Sequence, residues 1–108
     1  MAFTEYHNIT GSTGVDAQLL AVGSGIAGLS SIMITNVHAS NDATVTLFLE
    51  SPTTGKTYNI IHTVAVPADS SLLIDDRPLL AFNNTRRGYS LNVTVGSSDT
   101  VDILLNTL

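Results

Sequence analysis

Apolar and polar residues alternate one by one through several short stretches of this chain, and clusters of turn-forming residues separate them. In residues 44–50, Val45, Leu47 and Leu49 share one parity while Thr44, Thr46 and Glu50 take the other. Leu91, Val93 and Val95 alternate with Ser90, Asn92 and Thr94, and Val101, Ile103 and Leu105 alternate with Asp102 and Asn106. A period of two puts successive side chains on opposite faces of a strand. The breaks at 11–14, 23–28, 39–42, 51–56, 67–69, 83–88 and 96–99 are rich in Gly, Asn, Asp, Ser and Pro. Gly and Asn accept positive φ, Pro presets φ, and Asp and Ser bond back to the backbone. The pattern predicts strands at 17–22, 29–38, 44–50, 57–66, 70–75, 89–95 and 100–107. Residues 1–16 read as an N-terminal arm, within which 3–8 can add an eighth strand. No stretch has a helical period with caps.

Seven or eight short strands at this spacing predict an all-β fold, a single antiparallel β-sandwich. A jelly roll and an immunoglobulin-like Greek key both fit the pattern. There is no internal repeat or linker, so one domain is expected over residues 1–108. The outward parity is not wholly polar. Phe48 falls between Thr46 and Glu50 on the sequence's outer parity, Met33 lies between Ile32 and Ile34, Ile61 follows Ile60, and Leu104 lies between Ile103 and Leu105. Large apolar residues on a solvent-facing parity mark a second buried surface. Met33, Phe48, Ile61 and Leu104 are therefore the expected subunit-interface residues. The competing explanation is cover by a loop or the arm, or a β-bulge that shifts the register.

Composition sharpens this. Hydrophobic residues make up 44% of the 108 residues and charged residues only 12%, about half the usual share of ~25%. Surfaces that pack against neighbours are depleted in charge at their centres. A homo-oligomer, trimer or dimer, is expected. The net charge of −5 repels phosphate backbones, and nucleic-acid binding is not expected. No apolar run approaches the ~20 residues of a membrane-spanning helix, and no membrane partner is expected. The segment MAFTEYHNITGS lacks the basic and apolar regions of a signal peptide, so none is expected. There is no cysteine, which removes disulfides, thiolate chemistry and cysteine-based zinc sites.

One motif points elsewhere. Gly23-Ser24-Gly25-Ile26-Ala27-Gly28 fits G-x-G-x-x-G after the apolar run Leu19-Leu20-Ala21-Val22, and the acidic Glu50 ends a later strand. In a dinucleotide fold such glycines bring a pyrophosphate to a helix N-terminus and the acid binds ribose. Here the next segment, Ser30-Ser31-Ile32-Met33-Ile34-Thr35-Asn36-Val37, is rich in β-branched residues and disfavours helix. Glu50 also lies beyond the usual spacing of about 20 residues. The loop reads as a connection between strands or a subunit contact. His7, His38 and His62 are far apart, with no paired ligand spacing. Asp75-Asp76 lack the alternating oxygen-rich loop that calcium prefers, and read as a turn with a local ion pair to Arg77. No G-x-S-x-G elbow is present. The expectation is no enzyme, no catalytic residue, no cofactor and no metal.

Several segments together resemble small virion proteins of tailed bacteriophages, of the cyanophage and marine-phage type. They are Thr44-Val45-Thr46-Leu47-Phe48-Leu49, the Gly55-Lys56 turn, Tyr58-Asn59-Ile60-Ile61, and Val64-Ala65-Val66-Pro67-Ala68-Asp69-Ser70-Ser71-Leu72. Arg77-Pro78-Leu79-Leu80, Tyr89-Ser90-Leu91-Asn92-Val93 and Thr100-Val101-Asp102-Ile103-Leu104 continue the pattern. The resemblance covers roughly residues 31–108. It implies a head decoration (cement) subunit made in the host cytoplasm and located on the capsid surface. Its partners would be further copies of itself and the major capsid protein or other virion proteins. A neck, tail or fibre-base component is the nearest alternative. A carbohydrate- or receptor-binding β-sandwich is a further one, weakened by the lack of Trp and by only three Tyr and three Phe.

Overall fold

A computed structural model describes residues 4–11, 16–23, 28–82, 84, 88–96 and 98–107. Residues 12–15 of the first turn, 24–27 of the glycine loop, and Arg86 and Arg87 lie outside the described residues. Eight strands follow one another: β1 (Thr4–Thr10), β2 (Ala17–Leu20), β3 (Leu29–Asn36), β4 (Ala43–Glu50), β5 (Thr57–Val66), β6 (Ser71–Ile74), β7 (Ser90–Val95) and β8 (Thr100–Thr107). A single helical turn, α1 (Arg77–Leu80), sits between β6 and β7. The sequence pattern gave no sign of it. Pro78 is tolerated there because first-turn amides have no partner within the helix.

The strands form two four-stranded sheets, β1-β8-β3-β6 and β2-β7-β4-β5. Neighbours are antiparallel throughout. The pairs β1–β8, β2–β7, β3–β6 and β4–β5 are nested, as if one long hairpin had been rolled up. Apart from the β4–β5 hairpin, each connection crosses from one sheet to the other. This is the jelly-roll order, and it decides between the two topologies left open by the sequence. Thr4–Thr10 supplies the eighth strand expected near residues 3–8, an edge strand of the first sheet paired with β8 over its full length.

Between the sheets lies the apolar core. Ile32 and Ile34 from β3 and Val101, Ile103 and Leu105 from β8 meet Val45 and Leu47 from β4 and Leu91 and Val93 from β7, all with 0% exposure. These are the inward parities of the alternating runs, and each such side chain contributes about 1.5–3 kcal/mol on burial. Asn36, buried at the end of β3, donates Nδ2–H to the Asn41 carbonyl (2.7 Å) and the Val66 carbonyl (3.0 Å), while its Oδ1 accepts from the His38 amide (2.9 Å). The same end is tied further by the turn before β8, since Asn36 pairs with Val101 at the start of that strand. The Asp99 carbonyl accepts from the Gly11 amide (2.8 Å), and its carboxylate accepts from the Thr44 amide (3.2 Å).

Strand β5 departs from simple alternation. Its register with β4 shifts on both sides of Leu47, from Val45↔Val64 through Leu47↔Ile61 to Phe48↔Asn59. Thr63 takes a φ of 52° and its amide donates to Thr46 Oγ1 at 2.8 Å. The extra residues turn both Ile60 and Ile61 toward the core, as a bulge does when two residues oppose one. Ile61, read from sequence as outward-facing, is thus an inward-packing residue.

Candidate assembly surface

Cross-strand register builds a row on the outer face of the first sheet. Tyr6 lies opposite Leu104, Leu104 opposite Met33, and Met33 opposite Leu73. Four apolar side chains therefore run across β1, β8, β3 and β6, over about 14 Å at the usual strand spacing. Tyr6 is 74% exposed and Leu73 52%; Met33 and Leu104 are half-buried.

Polar rows flank it on both sides. On one, Asn8 Nδ2–H donates to Asp102 Oδ1 (2.6 Å), and the Thr35 and Ser71 hydroxyls lie 2.8 Å apart. On the other, Thr4 Oγ1 donates to Asn106 Oδ1 (2.7 Å) and Asn106 Nδ2 donates to Ser31 Oγ (2.7 Å). Because these groups already bond to one another, covering them costs less than covering polar groups that depend on water. The face can be dried by a partner that brings few polar groups of its own.

The outer face of the second sheet is different. Phe48 does point away from the core, on the parity of Thr46 and Glu50, but it is only 8% exposed. It forms part of an open groove of about 440 Å³ with Asp16, Glu50 and His62 among its walls. Beside it Ser90 and Asn92 are buried, with Asn92 Nδ2 donating to Ser90 Oγ at 2.9 Å. Of the four residues singled out in the sequence, Met33 and Leu104 are brought into direct opposition. Phe48 lies on the opposite sheet, and Ile61 faces the interior. Tyr6 and Leu73 complete the row and were missed. Leu73 sits in the unbroken apolar run Leu72-Leu73-Ile74, which hides its parity, and the short polar segment around Tyr6 shows no alternation that assigns it a face.

The remaining candidate chemistry is dispersed. His7 Nε2 lies 3.6 Å from Glu5 Oε1 on β1, His38 Nε2 accepts from the Thr100 amide at 3.0 Å, and His62 is at the groove. Among the described residues, no group of three His, Cys, Asp or Glu side chains is placed to hold a metal ion. Gly28 is followed at once by strand β3, so no helix N-terminus stands where a dinucleotide fingerprint requires one. Gly23 is tied instead to the β7 side, its amide donating to the Asn84 carbonyl at 3.0 Å. Asp75 and Asp76 are exposed just before α1, whose Leu80 amide donates to the Asp76 carbonyl at 3.1 Å.

No family model and no curated protein matches the chain. Solved structures do. A chain described as the cyanophage Pam1 capsid asymmetric unit superposes with a TM-score of 0.59 at 14% identity, covering 98% of this chain and 83% of its own. The two share a fold. A mitogen derived from Yersinia pseudotuberculosis aligns over 99% of this chain and 84% of its own, at 16% identity and a TM-score of 0.41.

Proposed function

We propose that this chain is a structural protein of a phage virion, a head decoration (cement) subunit that binds between major capsid proteins. The observation that carries the reading is the fold shared along 98% of the chain with a cyanophage capsid component. The phage-like sequence pattern of residues 31–108 and the outer-face row of Tyr6, Leu104, Met33 and Leu73 add to it. A cement subunit works by geometry. It adds buried area across a junction between shell subunits, where packed DNA pushes outward, and it needs neither turnover nor cofactor. Met33 and Leu104 are the proposed shell- or subunit-contacting residues retained from the four; Phe48 contributes through the groove on the other sheet.

A subunit that binds only the intact shell stabilises it by RT ln(1 + [L]/Kd), about 2.7 kcal/mol at one hundred times Kd. Particles depleted of the protein should lose DNA at a lower temperature. Adding the purified chain back should restore heat resistance in a saturable way. Heads that resist heat equally well without it, or add-back with no effect, would remove the cement role. Particles with heads but no tails in its absence would favour the neck or tail reading.

A further inference from the structure

A jelly roll has four sheet edges, and exposed edges invite pairing unless they are blunted. Three are blunted here. Strands β2 and β6 are four residues long, and β2 is also bulged between Gln18 and Leu20. Strand β5 carries two register shifts and the positive φ of Thr63. Strand β1 is neither short, bulged nor shifted, and its one inward charge, Glu5, is accompanied by His7 Nε2 at 3.6 Å. It is seven residues long, pairs with β8 without a shift, and contains no Pro, Lys or Gly.

We propose that β1 is a strand-pairing edge whose occupant is β1 of a second copy, antiparallel about a two-fold axis at Tyr6. This inference concerns the purified chain and does not rest on the virion reading. Residues directly opposite one another in an antiparallel pair share a face, and a register centred on Tyr6 makes the strand complementary to itself. Glu5 falls opposite His7 of the other copy, twice, both on the inward parity. Thr4 falls opposite Asn8, a hydroxyl facing an amide on the outer parity. Tyr6 meets its own copy, so the most exposed aromatic among the described residues gains a cross-strand aromatic partner. A register centred on His7 instead sets His7 against His7 and Glu5 against Ile9, and loses these matches. With the Tyr6 register the two four-stranded sheets become one of eight strands. The apolar row then continues without a break from Leu73 of one copy to Leu73 of the other. The dimer is isologous and closes on itself.

Single thiols read this register directly, because the chain has no cysteine. Opposed residues have Cα atoms about 4.5–5.5 Å apart, within the ~4.4–6.8 Å span of a disulfide. Full-length Tyr6→Cys should give a disulfide-linked dimer on mild oxidation. Asn8→Cys, whose copies would stand about 13 Å apart along the pair, should not. The double variant Thr4→Cys/Asn8→Cys should link again, and it replaces the first test if Tyr6→Cys does not fold. In sedimentation of the unlinked protein, His7→Glu should weaken the dimer about tenfold by opposing two carboxylates. Adding Glu5→Lys to it should restore the affinity. A folded Tyr6→Cys that stays unlinked, linkage equally fast through Asn8→Cys, or a parent chain that sediments as a monomer at millimolar concentration or as a trimer would each overturn the proposal.

Discussion

Single residues hold one end of this sandwich together. Asn36 uses both Nδ2 hydrogens and its Oδ1 to join the end of β3, the β3–β4 loop and the end of β5. Asn36→Asp removes both donors and sets a carboxylate against two carbonyl oxygens in a buried site. The expected loss is about 3 kcal/mol or more, read as a fall in urea midpoint at unchanged slope. Two glycines make a contrasting pair. A Cβ on Gly11 would strike the backbone carbonyl of Gly96, whereas Gly55, at a φ of 71°, has nothing within 4 Å of that position. Gly55→Ala should cost only the left-handed penalty of about 1–2 kcal/mol. Gly11→Ala should cost more, because backbone must move. Equal midpoints for the two variants would contradict the close approach of Gly11 to the β7–β8 turn.

At the scale of elements, the strands were legible and their faces only partly so. Period-two alternation located β3, β4, β5, β7 and β8 to within a residue or two, because each buries one parity against the opposite sheet. The same alternation misassigned Ile61, since the β5 bulge at Thr63 depends on a register that no local pattern encodes. It placed Phe48 correctly outward, yet could not reveal that neighbouring strands cover it. Leu73 was hidden by apolar residues on both sides. Tyr6 was hidden because the face it takes is set by its pairing with Leu104 on β8, almost the whole chain away. These placements separate folding from binding. Ile61→Asp should lower stability by about 3 kcal/mol, because the charge enters the core. Leu73→Asp should change stability by less than about 0.5 kcal/mol, yet weaken attachment to capsids in a pelleting assay. If Leu73→Asp binds capsids as the parent does, the row is not the contact surface.

The whole molecule measures 40 × 29 × 19 Å, with its two broad faces formed by the outer surfaces of the sheets. One face is a groove with acidic walls, and the other carries an apolar row between polar rows that already satisfy themselves. Low charge, with only 12% Asp, Glu, Lys and Arg, leaves little to repel a neighbour at close range. A jelly roll with such a face suits a protein whose work is to be packed between others. The proposed role is tested most directly by a density map of phage particles assembled with the chain. This jelly roll is expected on the outer surface of the head, over junctions between major capsid proteins, with the Tyr6–Leu104–Met33–Leu73 face against a neighbour. A map of complete particles that lacks the chain, or that shows it with that face turned to solvent, would contradict it.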